Sequence, residues 1–307
     1  MSRYPTSTPS LDAAELGWWR EFGDLEERFC WVQPPDVQRI VRRHYVRDML
    51  DQVRPGDAVL ELGCGAGWLT LLLADAGVGD LTGVDLSPDQ VALARAAAVR
   101  AGRPGVRFEV ADAAGAAAAG SYDVVVLHAV LHHLSSDEIR STLAAARAAL
   151  RPGGRLVALE PTSFPDDGRR PWRRRLLERM IWLPMMLHRR GLRPVGPEEA
   201  EARARLRDRQ AGVAPFGPAP KELAFGDGEL SGLLADAGLR LVHRRPAAAL
   251  AFLVAQDLLL TELSQPSARR LRSPVLRLAS WLDRGMVDAP RPPGPIWVFE
   301  LFVCVRD

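Results

Sequence analysis

Between residues 58 and 160 the chain alternates short apolar runs with longer segments of helical periodicity, and this alternation restricts the fold more than any other feature. "AVLEL" (58–62) reads as a buried strand and "GWLTLLLADAG" (67–77) as a helix stopped by Gly77. "LTGVDL" (81–86) is a second strand. "SPDQVALARAAAVRAG" (87–102) is a helix with Ser87 at the N-cap and Pro88 at its first position. "VRFEVAD" (106–112) and "YDVVVLHAV" (122–130) are strands three and four. "SSDEIRSTLAAARAAL" (135–150) opens with a capping-box pattern from Ser135 to Glu138, and "RLVALE" (155–160) is strand five. Strands separated by single helices predict a parallel, doubly wound sheet. Right-handed crossovers then gather the carboxyl ends of the strands along one edge, where ligands bind.

Beyond Glu160 the rhythm breaks. Residues 162–224 hold no clear strand. "DGELSGLLADAG" (227–238) is a helix with Asp227 as its expected N-cap and Gly238 as its stop. "LRLVHRR" (239–245) is a sixth strand and "IWVFELFVCV" (296–305) a seventh, with 247–295 between them. The expected organisation is an N-terminal helical lid (1–52), a ligand-binding core (53–161), a helical cap insertion (162–224), and a C-terminal part (225–307) that returns strands six and seven to the core around a second helical insertion (247–295). Hydrophobic residues make up 47% and charged residues 25% of the chain, the balance of a soluble globular protein. A net charge of +2 gives no global field that would draw it to nucleic acid or to a membrane. Residues 1–10 lack the apolar stretch of a signal peptide, and no run approaches the ~18 apolar residues of a membrane span, so the expected location is the cytoplasm. Cys30, Cys64 and Cys304 match no zinc or disulfide spacing, and no metal is expected.

Strand one runs into Gly63-Cys64-Gly65-Ala66-Gly67, a turn that suits a nucleotide-like ligand. A dinucleotide fold needs Gly-x-Gly-x-x-Gly, and the position of its third glycine holds Trp68. No Gly-Lys-Ser/Thr follows, so it is not a P-loop. The pattern Glu61-x-Gly63-x-Gly65-x-Gly67 resembles motif I of the class I S-adenosylmethionine (SAM) methyltransferases. Asp85 at the end of strand two, Asp112 at the end of strand three, "SYDVVVLHAVLHHL" and "ALRPGGRLVALEP" extend the resemblance over about residues 55–161, with strands six and seven beyond.

The resemblance implies an α/β, Rossmann-like seven-stranded sheet with helices on both faces and a helical cap from the insertions after strands five and six. It implies SAM as cofactor, with Gly63, Gly65 and Gly67 passing under its amino-acid end and sugar. Asp85, with Leu86 beside it, is placed at the ribose, and Asp112, with Ala113, at the adenine amino group. Glu61, Cys64, His128 and Tyr45 complete the expected cofactor-binding set. Cys64 reads as a small packing residue of the turn, and His128 equally as a packed histidine. Tyr45, or Arg42, Arg43 or Arg47 on the same helix, can reach the cofactor's carboxylate; a solvated basic face is the alternative.

Methyl transfer from a sulfonium has a good leaving group, so the protein mainly positions the acceptor and excludes water. A base is needed only when the acceptor must lose a proton. His132 and His133 after strand four, and Glu160 at the end of strand five, are the candidates. His132 has a structural alternative, and Glu160 either serves the acceptor or pairs with an arginine. The two long insertions suit an enclosed small molecule better than an open groove for DNA, RNA or protein. Within the first, "RRPWRRRLLERMIWLPMMLHRR" (169–190) is a cap helix, a membrane-surface helix or the site of an anionic acceptor. "PEEAEARARLRDRQ" (197–210) is a polar surface helix with Glu199–Arg203 and Glu201–Arg205 pairs. "ALAFLVAQDLLLTEL" (249–263) is expected to pack on the core or the first insertion. Trp18, Trp19, Phe22, Phe29 and Trp31 either pack on the core or line the acceptor site. The expected function is methyl transfer to oxygen or nitrogen of a small molecule, in secondary-metabolite or sugar- or lipid-linked biosynthesis. The alternative is a protein that binds SAM without transferring methyl, or uses the fold for another reaction such as cyclisation.

Overall fold

The computed structural model describes residues 46–112, 120–162, 195–210, 228–248, 264–287 and 299–307, with scattered positions between 213 and 262. The expected strands form one seven-stranded sheet: β1 (Ala58–Leu62), β2 (Asp80–Asp85), β3 (Arg107–Val110), β4 (Tyr122–His128), β5 (Leu150–Pro161), β6 (Arg240–Ala248) and β7 (Phe299–Val305). Their order across the sheet is β3-β2-β1-β4-β5-β7-β6. The first five are parallel, whereas β7 runs antiparallel to both β5 and β6. The five parallel strands are those the alternating rhythm predicts; β7 lies between β5 and β6 and runs against both, a direction that needs no crossover helix.

Helices α1 (Arg47–Leu50), α2 (Trp68–Asp75), α3 (Pro88–Arg100), α4 (Ser136–Ala149), α5 (Pro197–Gln210), α6 (Glu229–Asp236) and α7 (Arg269–Val287) accompany the sheet. Ser87 caps α3 by accepting from the Gln90 amide, and Pro88 stands at its first turn. Ser135 and Glu138 form the expected capping box on α4. At α6 the expectation fails: Gly228, with φ +76°, occupies the N-cap, and Glu229 instead accepts from the Gly226 amide. β5 also begins earlier than expected, because Pro152-Gly153-Gly154 is absorbed as an irregularity within the strand; the Gly153 amide donates to the Arg306 carbonyl and the Arg306 amide to the Gly154 carbonyl.

One core layer packs Val59, Leu69, Leu73, Val157, Leu159, Leu276 and Leu301; the opposite layer packs Leu60, Leu62, Leu127, Ile139, Leu143, Phe225 and Phe302. Val46 and Met49 belong to the first layer, so the last residues of the expected lid are core. Residues 1–45, which carry the aromatic cluster, Arg42, Arg43 and Tyr45, lie outside the described residues, as do Ala113 and the basic segment 169–190. Arg47 is described, and it pairs with Asp48 at 3.4 Å.

Both insertions leave the sheet at the carboxyl edge of β5. β5 ends at Pro161, which pairs with Phe299 at the start of β7, and Ala248 at the end of β6 pairs with Phe299 on its other side. The insertions also meet. The Gly196 amide donates to Ser264 Oγ at 2.7 Å, and Arg203 Nη2 donates to Thr261 Oγ1 at 3.3 Å. Helix α5 is therefore not the plain surface helix its polar sequence suggests. Glu199 is fully buried and holds Arg203 at 2.8 Å, so one of its i,i+4 pairs faces inward. Leu259 joins the first core layer, as the apolar character of the second insertion predicts.

Candidate active site

The glycine turn joins β1 to α2 at the carboxyl edge. Gly63, Gly65 and Gly67 all take the left-handed conformation, with φ of +73°, +50° and +80°. Their surroundings differ. A Cβ on Gly63 would stand 2.5 Å from Val130 Cγ2, and one on Gly67 2.9 Å from both Ala94 Cβ and Phe108 Cζ. These two glycines are needed for packing against the neighbouring strands and helix. At Gly65 a Cβ would meet only Gln90 Oε1, 3.9 Å away. The turn is thus open at one place, and there a ligand can approach the backbone.

Asp85 stands beside that opening. Its Oδ2 accepts the Gly65 amide at 2.8 Å and its Oδ1 the Ser87 amide at 2.9 Å. Each oxygen keeps an acceptor position for a hydroxyl pair. Leu86, at 43% exposure, offers an apolar surface next to it, and Asp112 is exposed just past β3. Cys64 turns away from the opening into a cluster with Val91, Ala94 and Phe108, and burial raises its thiol well above the ordinary range, as befits a packing residue. Glu61 lies behind the turn, buried, and shares a short hydrogen bond with Thr70 on the first turn of α2. Burial pushes its carboxyl up to about 8, with Thr70 opposing and Asp85 adding to the rise.

Gly63→Ala is expected to cost about 2–3 kcal/mol of stability, from left-handed strain plus overpacking against Val130. Thermal unfolding of the purified variant measures it, and an unchanged transition would show that Val130 yields freely.

The second half of the site follows β4. His128 ends that strand, half-buried, with its ring centroid 5.6 Å from that of Trp68. Burial holds its pKa down to about 3, so it is a neutral packed histidine. Ala129 then takes φ +55°, a conformation that costs an L-residue about 1–2 kcal/mol. This reversal starts the 3₁₀ turn Leu131–His133 and aims two successive amides at β5. Glu160, with no solvent exposure, receives them: Oε1 accepts from Val130 and from Leu131, both at 2.9 Å. Its Oε2 stands 2.9 Å from His132 Nδ1. Among the described residues it has no arginine partner, and the arginines of 169–190 lie outside them. His133 stacks against His132, with centroids 3.8 Å apart.

A carboxylate that accepts two amides and faces Nδ1 fixes that nitrogen as the protonated one and puts the ring's lone pair on Nε2. Because Val130 packs against Gly63, the dyad loop and the glycine turn are in direct contact. The His132–Glu160 pair and the open glycine turn therefore share one edge of the sheet. The sequence pointed to Glu160 and His132 singly; Ala129, Thr70 and the Val130–Leu131 amides carried no sequence signal.

Residues 59–154 match the family model described as "Methyltransferase domain". They form a class I, SAM-dependent methyltransferase domain. The cofactor of this domain is SAM, and the open Gly65, the doubly anchored Asp85 and the exposed Leu86 fit it. A ubiquinone biosynthesis O-methyltransferase of Methylobacterium sp. (strain 4-46) is 33% identical over 162 residues, covering 49% of this chain and 64% of that protein. A ribosomal protein L11 methyltransferase of Dechloromonas aromatica is 42% identical over 99 residues, covering 32% of this chain and 30% of the other. The chain thus spans less than two thirds of these relatives. Among solved structures, the [4+2]-cyclase SpnF superposes over 98% of this chain and 99% of its own with a TM-score of 0.57 at 16% identity, a likeness of fold. No described helix of the methyltransferase domain or its insertions is long and apolar enough to cross a membrane.

Proposed function

We propose that this chain transfers the methyl group of SAM to an oxygen or nitrogen of a small molecule, with His132 as general base. The observation that carries this reading is the His132–Glu160 dyad against the glycine turn. SAM supplies an electrophilic methyl group on a sulfonium. The chain's own residues do the rest. Gly65 and Asp85 seat the cofactor, and the carboxyl edge holds the acceptor. His132 Nε2 takes the proton that a hydroxyl or amine must lose as it is methylated, and the positive charge this leaves on the ring is stabilised by Glu160. The contact between the two insertions, through Gly196–Ser264 and Arg203–Thr261, supports an enclosed acceptor rather than a macromolecule. The L11 methyltransferase relative bears on a different acceptor class, a protein, but its match covers only about a third of each chain. Biosynthesis of a secondary metabolite or of a sugar- or lipid-linked molecule is the setting this reading favours.

Incubation with methyl-labelled SAM and a panel of phenols, amines and sugars tests the proposal. Label in an acceptor, with S-adenosylhomocysteine formed in equal amount, supports it. An acceptor rearranged or cyclised without label would overturn it in favour of a non-transferring reaction, of the kind named for the structural neighbour SpnF. The cofactor placement has its own test. Asp85→Ala should weaken binding of S-adenosylhomocysteine by roughly 1–3 kcal/mol, the worth of hydrogen bonds to a charged group. Calorimetric titration reads this directly, and equal affinity in the variant would remove Asp85 from the ribose site.

A further inference from the structure

Helix α7 belongs to the second insertion, both ends of which leave the sheet beside Pro161. Its inner face is settled: Leu276 is fully buried in the first core layer, Ala279 and Ser280 are buried beside it, and Arg272 is buried and paired with Glu262 at 2.8 Å. Its outer face is unusual. Arg270, Pro274, Arg277, Leu278 and Trp281 are all exposed and, at helical spacing, form one stripe along the axis. Trp281 is 64% and Leu278 57% exposed, with Val275 at 37% on the flank. Single exposed apolar residues need no explanation, but a tryptophan and a leucine adjoining on one helix face do.

The charges on this face all have one sign among the described side chains. Arg269, Arg270 and Arg277 are exposed and make no ion pair among the described residues. No aspartate or glutamate occurs between Ser264 and Trp281. A face that combines exposed guanidinium groups with an indole and an aliphatic side chain matches one surface chemistry closely. Anionic lipid headgroups attract the arginines, while tryptophan and leucine enter the boundary between headgroups and acyl chains.

We propose that the outer face of α7 docks this protein on an anionic membrane surface, lying in the interface and not crossing it. The helix sits in the insertion whose two ends leave the sheet beside Pro161. The inference holds whatever the acceptor proves to be, because it rests on α7 and not on the dyad.

Flotation of the full chain with vesicles tests it. Vesicles of phosphatidylcholine mixed with phosphatidylglycerol should carry the protein upward, vesicles of phosphatidylcholine alone should not, and added salt should release it. Trp281→Glu combined with Leu278→Glu should abolish co-flotation. Arg270→Ser combined with Arg277→Ser should weaken it roughly thirtyfold. All four positions are exposed, so unchanged thermal unfolding is expected in both variants, and the arginine pair decides the matter if the first variant fails to fold. Absence of binding, equal binding to neutral vesicles, or undiminished binding by the variants would overturn the proposal. So would a wild-type dimer that dissociates in the Trp281 variant without vesicle binding, since the face would then join two copies of this chain.

Discussion

Glu160→Gln is expected to lower turnover by roughly 10²- to 10⁴-fold, the range contributed by a positioned general base, while leaving cofactor affinity and the fold intact. The reason lies in which atoms donate. In the wild type Oε1 accepts two amides and Oε2 faces His132 Nδ1. A glutamine of the same shape keeps its carbonyl oxygen on the Val130 and Leu131 amides, since turning its NH₂ there would set donor against donor. Its NH₂ then faces Nδ1, which must become an acceptor. The imidazole proton moves to Nε2, and the nitrogen assigned as the base can no longer take a proton. His132→Ala should show the same loss by removing the ring. Glu160→Ala differs in kind: it leaves two buried amides unpaired, at about 1–3 kcal/mol each, so it should lower stability as well as turnover. Steady-state kinetics beside calorimetric titration with S-adenosylhomocysteine separates the cases. Full turnover by Glu160→Gln would mean that the reaction needs no base at His132.

What could be read in the sequence was whatever depended on local spacing. The central strands of the sheet announce themselves as apolar runs, and the caps at Ser87 and Ser135 follow from hydrogen bonds that reach only three residues. The glycine turn, Asp85 and the two dyad residues were legible because each sits at the end of a strand. Their union was not. The 2.9 Å approach of His132 to Glu160 spans 28 residues of sequence, and it depends on the left-handed Ala129, a conformation that an alanine does not advertise. The reversed direction of β7 is likewise invisible in its apolar pattern, because a strand buried on both faces reads the same either way. The polar sequence of α5 concealed its buried Glu199, since periodicity reports which residues are apolar and not which charged residues find partners. At α6 the N-cap passed to Gly228 instead of Asp227, a one-residue shift of the kind that end signals commonly miss.

The ligand-free protein should lose stability as pH rises past neutrality, and Glu61→Gln should remove that loss. Burial is the main cause that lifts the Glu61 carboxyl from 4.5 to about 8. Because the folded chain holds this proton more tightly than the unfolded chain, folding takes up a proton between those two values, and stability falls by about 1.4 kcal/mol per pH unit across the window. Over the full window Glu61 accounts for up to about 5 kcal/mol. His128 acts in the opposite sense. Its pKa is lowered from 6.5 to about 3, so stability is lost as pH falls through that range. Between pH 4.5 and 6.5 the two slopes oppose each other and the wild type should be nearly level. Between pH 6.5 and 8 only the Glu61 slope remains, and about 2 kcal/mol should disappear. A glutamine at position 61 matches the protonated side chain in shape, can accept from Thr70, and does not titrate. Its advantage over the wild type should therefore grow steadily from pH 4.5 to 8 and then stop. Denaturant unfolding of both proteins across this range gives the difference directly. Parallel curves for the two would mean that Glu61 is already ionised in the folded protein, and that the buried charge is compensated by groups other than Thr70.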